Sequence, residues 1–156
     1  MIKLYKRIDG ELYYHEAWSN KSIITEHWGK VGERGESVEQ KRNKKLSEEN
    51  DIKHVLAKPM SNGFESFDDD DLVTLIIEYV IEGMGSTKDL DKRHALEVRI
   101  NELIGWTGLG NCDGGSIGSG TMEVCCFVVD FKIAKLVIEK DLNETMFADY
   151  SRIYQE

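Results

Sequence analysis

The chain has 156 residues, 40% of them hydrophobic and 31% charged, with a formal net charge of -9. That length fits one domain or two small ones, and that apolar fraction excludes a disordered chain. The charge is uneven: residues 1–66 carry 12 Lys+Arg against 11 Asp+Glu, and residues 67–156 carry 8 against 18. A near-neutral half is therefore joined to an acidic one.

The N-terminus, Met1-Ile2-Lys3-Leu4-Tyr5-Lys6-Arg7, has charges where a signal peptide has its apolar stretch. Ile2, Leu4 and Ile8 alternate with Lys3 and Arg7, the pattern of a half-buried strand. Asp9-Gly10 is a two-residue hairpin signal. Residues 11–18 return as a second strand with Tyr13, Tyr14 and Trp18, and Ser19-Asn20-Lys21 is read as the next turn. Residues 22–30 form a third strand and 36–42 a fourth. Ser47 then caps a helix whose Glu48 and Glu49 suit the positive end of its dipole. Ile52, Val55 and Leu56 form the stripe that lies on the sheet, and Pro59 ends the helix. Asn62-Gly63-Phe64 closes the unit as a turn.

Between the third and fourth strands runs Trp28-Gly29-Lys30-Val31-Gly32-Glu33-Arg34-Gly35. Its glycines allow a sharp strand-to-strand turn. Trp28 points to the face that Ile24 shares, where it is expected to pack as cross-strand core. With this strand order, the helix and the closing Gly63-Phe64, residues 1–66 resemble the WGR domain family. The resemblance implies a β meander closed by a helix. It also implies a binding role, toward nucleic acid in some relatives. Read from the residues alone, Lys30 and Arg34 at the turn, with Lys41, Arg42, Lys44 and Lys45 downstream, could make a basic edge, although such a charge run is more often a solvated surface. Trp28, Lys30, Arg34, Lys41 and Arg42 are the binding candidates. Lys30 stands where the family's motif has arginine, which keeps the charge and loses the planar bidentate fork.

The second half opens with the acidic run Asp68–Asp71, read as a solvated, helix-free boundary, since no EF-hand spacing follows. Residues 72–81 are rich in β-branched side chains and read as a buried strand. Thr74 and Glu78 interrupt this run, which is too short to span a bilayer. Residues 89–104 read as a helix with Leu96, Ile100, Leu103 and Ile104 on one face. Passage 105–120 holds seven of the chain's 14 glycines, with a weak strand over 112–119. Residues 121–130 form a strong strand, 131–142 a helix with Ile133, Leu136 and Val137 on its stripe, and 146–154 a final strand. The order βαββαβ resembles a ferredoxin-like fold for residues 67–156. The expected fold class is thus α+β: a WGR-like meander with its C-terminal helix, then a ferredoxin-like unit.

The glycine passage follows a helix and precedes a strand, the reverse of a phosphate-binding loop, and it matches no nucleotide fingerprint. The glycines are better read as a bulged hairpin or a close backbone approach. His15, His27, His54 and His94 lack metal-ligand spacing; His15 and His27 could face each other across the second and third strands, but surface or half-buried imidazoles are the expected reading. Cys112, Cys125 and Cys126 form no C-x-x-C pair and read as small buried hydrophobes, with Cys125 and Cys126 on opposite faces. No catalytic signature is found, and no cofactor is expected.

Three functions follow. The first is a non-enzymatic, cytoplasmic interaction protein that binds a protein partner or nucleic acid through the WGR-like sheet. Four phosphate contacts would give a salt slope of roughly -3.6, so nucleic-acid binding would be weak and salt-dependent. The second is an immunity-type protein whose acidic half neutralises a basic toxin. The third is a small metal-dependent hydrolase built on Asp113, Glu123 and Asp130.

Overall fold

The structure, a computed structural model, describes residues 1–156 as a mixed α+β protein with two four-stranded antiparallel sheets. The first sheet is a meander of β1 (Ile2–Ile8), β2 (Glu11–Asn20), β3 (Ile23–Lys30) and β4 (Glu36–Lys41), in that order. Asp9 and Gly10 both have positive φ, the geometry that matches a two-residue turn to the strand twist. The next turn falls on Lys21-Ser22, not on 19–21, because β2 keeps its pairing through Asn20. His15 is therefore opposite Trp28, and His27 opposite Glu16. The two histidines lie on different faces and do not meet; His15 is half-buried, as expected, whereas His27 is sealed from solvent.

Helix α1 (Glu48–Val55) starts at Ser47, whose hydroxyl accepts from the Asn50 amide. It lays Ile52 and the following Leu56 over Leu4, Ala17 and Ile24, a small core on one face of the sheet. Pro59 does not end this helix. It sits in the first turn of a short second helix, α2 (Ala57–Ser61), where an amide hydrogen has no intrahelical partner to lose. Glu65 then bridges to Tyr5 on the outer edge of β1.

The acidic run is not helix-free: Asp69–Asp71 form a single 3-10 turn. Beyond it, the second sheet holds β5 (Val73–Val80), β6 (Gly110–Gly118), β7 (Thr121–Val128) and β8 (Arg152–Gln155), in the spatial order β6-β7-β5-β8. Helix α3 (Thr87–Gly105) begins in a reciprocal capping box between Ser86 and Asp89. Helix α4 (Phe131–Leu142) begins at Asp130, whose carboxylate accepts from the Ile133 amide. Leu96, Ile100 and Ile104 of α3 join Leu75, Ile77, Val124 and Val128 in one buried cluster.

Two expectations fail here. The buried stripe of α4 is Ala134, Ile138 and Leu142, while Leu136 is exposed. Ile133 and Val137 turn instead toward Gly32 of the first half. The last strand is also shorter than expected. Residues 143–151 form turns, with Glu144 at positive φ, before Arg152 pairs with Glu78.

The sheets divide near residue 66, but their cores do not. Tyr5, Leu12, Tyr14 and Val31 belong to the same 21-residue cluster as the second sheet. The Tyr5 hydroxyl donates to the Gly108 carbonyl at 2.9 Å, and the Gly32 amide donates to the Thr107 carbonyl at 2.9 Å. The β2 strand thus has both faces covered, one by α1 and one by the second half. No helix is long and apolar enough to cross a membrane.

Candidate functional site

Trp28 lies on the expected face, with Ile24, but it is not core. Ile24 is fully buried, whereas Trp28 is half-buried. Its indole stacks on the His15 ring with centroids 5.6 Å apart and planes 25° from parallel. Phe64 meets the same imidazole edge-on at 5.8 Å. His15 is held from the other side by Glu26, with Nε2 to Oε1 at 2.6 Å. The sheet supplies His15, Glu26 and Trp28, and the helical segment supplies Val55, Lys58 and Pro59. Together they line an open groove of about 390 Å³. A ring held flat by a neighbour and open on one side is a ready stacking surface.

The four basic binding candidates do not share one edge. Lys30 is at the C-terminal end of β3, bonded to Glu11 at 2.5 Å. Arg34, in the following turn, lies over the Trp106 ring at 5.2 Å. Lys41 pairs with Ile23 at the opposite end of β3. Seven residues at about 3.3 Å each put that end roughly 23 Å from Lys30. Arg42 faces Asp51 at 3.7 Å and Glu48 at 3.9 Å. Lys30 and Arg42 are each paired with carboxylates of other elements, and none of the four bases lines the Trp28 groove.

On the other face of β2 and β3 is a polar cluster that sequence patterning did not reveal. His27 is 1% exposed and Glu16 is 3% exposed. His27 Nδ1 is 2.8 Å from Glu16 Oε1, and its Nε2 is 2.6 Å from the Arg34 carbonyl. Protein oxygens thus stand within hydrogen-bond distance of both ring nitrogens. The Tyr14 hydroxyl, 3.1 Å from Nε2, donates to the Arg34 carbonyl at 2.9 Å. Burial pushes the Tyr14 hydroxyl well above its ordinary range. Trp18 and Trp106 pack edge-on at 5.7 Å, and His27 meets Trp106 at 5.1 Å. A cleft of about 260 Å³ opens beside them, lined by Lys3, Glu16, Trp18, Asn101, Glu102 and Trp106. The imidazole is enclosed, and both its nitrogens are committed to protein oxygens.

The three carboxylates of the hydrolase reading do not converge. Asp130 caps α4, and Glu123 accepts from the Ser116 hydroxyl at 2.9 Å near the other end of β7. Asp113 sits in the irregular part of β6, where the register shifts between Cys112 and Gly115. No group of three or more His, Cys, Asp or Glu side chains is placed to hold a metal ion.

The uncovered face of the second sheet is acidic and tied together. Arg152 grips both oxygens of Glu78, at 3.0 and 2.7 Å, and lies over the Tyr154 ring at 4.2 Å. The Arg152 hydrogen bonds hold the Glu78 carboxyl below its usual range. A lowered native value means the stabilisation is present above the ordinary carboxylate range, near pH 4, and fades as pH falls through the native value. Glu78→Gln is expected to flatten the acid limb of a stability-versus-pH curve measured by urea unfolding. An unchanged limb would remove Glu78 from that account.

No protein-family model, curated protein or solved structure matches this chain.

Proposed function

We propose that this is a non-enzymatic interaction protein that takes an aromatic or apolar side chain of a protein partner into the Trp28 groove. The observation that carries this reading is the half-open indole, stacked on His15 beside a 390 Å³ groove while Ile24 on the same face is sealed. Rigid aromatic platforms of this kind are favoured anchors in protein interfaces. The net charge of -9 favours a basic partner, in the way an immunity protein meets a cationic toxin. Nucleic acid is the weaker form of the reading, because Lys30 and Arg42 are already paired with carboxylates and lie at opposite ends of the sheet.

The family reading belongs to the same proposal. The four-stranded meander, its helices and the seating of Phe64 against His15 support a WGR-like unit over residues 1–66. The spatial order β6-β7-β5-β8, with α3 and α4 contributing to one core, supports a ferredoxin-like unit over residues 67–156.

The test compares the native chain with Trp28→Ala as bait at low salt. A basic protein kept by the native chain, lost by the variant and shown to bind again after purification supports the proposal. Equal retention by both baits contradicts it. A gel shift with a short oligonucleotide, abolished by Trp28→Ala, would move the reading to nucleic acid.

A further inference from the structure

Cys112 on β6 and Cys126 on β7 are directly opposed in the ladder. The Val129 amide donates to the Leu109 carbonyl, so that register position is a hydrogen-bonded one. Hydrogen-bonded and non-hydrogen-bonded positions alternate along an antiparallel pair, and three steps further on Cys112 and Cys126 fall at a non-hydrogen-bonded site. The Cys112 amide confirms this by pointing away from β7, to Asn101 Oδ1 at 3.0 Å. At such sites the Cα atoms are about 4.5 Å apart and the side chains are closest. A disulfide spans Cα separations of about 4.4–6.8 Å. The two Sγ atoms are already 2.9 Å apart. Cys125, next in sequence, points to the opposite face and has no such partner.

We propose that Cys112 and Cys126 are a redox modification site that closes to an intrachain disulfide when the protein meets a peroxide. Cys126 is fully buried, and its contact with Cys112 together with burial holds it as the thiol. Cys112 is half-buried on the edge strand, where a small oxidant reaches it. The Cys112 thiolate attacks one peroxide oxygen, the O–O bond breaks, and the other oxygen leaves as water after taking a proton. Cys112 is then a sulfenic acid. The Cys126 sulfur attacks it, the S–O bond breaks, and the hydroxyl leaves as water with the Cys126 proton. Two thiols and one hydrogen peroxide yield one disulfide and two waters, so two sulfurs are oxidised and the peroxide is reduced. The bond would staple the edge strand β6 to β7 immediately before the irregular stretch at 113–114.

The folded chain is treated with hydrogen peroxide, alkylated and analysed by intact mass and by Glu-C digestion. Cleavage after Glu102, Glu123 and Glu139 leaves Cys112 and Cys126 on separate peptides. The expected result is loss of two hydrogens, a Cys112–Cys126 linked peptide pair, and reversal by dithiothreitol. The link persists in Cys125→Ser. In Cys126→Ser it is absent, and dimedone labels Cys112. Three alkylatable thiols after treatment, a link that requires Cys125, or over-oxidation of Cys112 without a link would each overturn the proposal.

Discussion

Gly108→Ala is expected to destabilise the whole protein by about 2–5 kcal/mol, the sum of a left-handed backbone penalty and an overpacked core. Gly108 has φ +65°, and a Cβ there would overlap the ring carbons of Tyr14. The ring has little freedom to retreat. It is 1% exposed, its hydroxyl is bonded to the Arg34 carbonyl, and the Gly35 backbone closes on it from another side. Tyr14 belongs to the first sheet and Gly108 to the second half, so the substitution strikes the shared core. Tryptophan fluorescence and far-ultraviolet circular dichroism should therefore lose stability together, in one urea transition. Two separated transitions would mean that each sheet folds on its own.

His27→Ala has the second large effect expected, about 3 kcal/mol, which lowers the melting temperature by about 6–12 °C in a chain of this size. The cost is set less by lost packing than by what remains. Glu16 is nearly sealed from water, and its best partner would be gone. Lys3, 3.7 Å from Glu16 Oε2, offsets only part of that. The paired change Glu16→Leu with His27→Leu should cost less than the two single changes added together, because no buried carboxylate is orphaned. Additive losses in such a cycle, read by thermal unfolding, would show that the two side chains are not coupled.

Much of the fold was legible because local chemistry and periodicity agree. The Asp9-Gly10 turn, the Ser47 cap and the 131–142 helix all stand where side-chain pattern puts them. The site was less legible, for one physical reason. Alternation tells which residues share a face of a strand, but not what covers that face. Alternation puts Trp28 on the right face, yet it does not tell that the indole stays half open while Ile24 is sealed. His15 opposite Trp28 follows from a two-residue turn at Lys21-Ser22, and reading the turn two residues early shifts that register. The partnership of Gly108 with Tyr14, and of Trp106 with His27, joins segments about 80–95 residues apart. Contacts of that span leave no periodic trace. The hydrophobic reading of α4 failed for a related reason: two surfaces cover the helix, so its apolar positions spread beyond a single stripe.

The groove account is tested most directly by carrying Trp28→Ala through urea unfolding and through titration with the captured partner, side by side with the native chain. The account predicts a folded variant, weakened by no more than about 2 kcal/mol because the indole is only half-buried, that has lost partner binding by at least tenfold. A variant that unfolds as readily as His27→Ala would make Trp28 a core residue. A stable variant with undiminished binding would place the interaction elsewhere on the molecule.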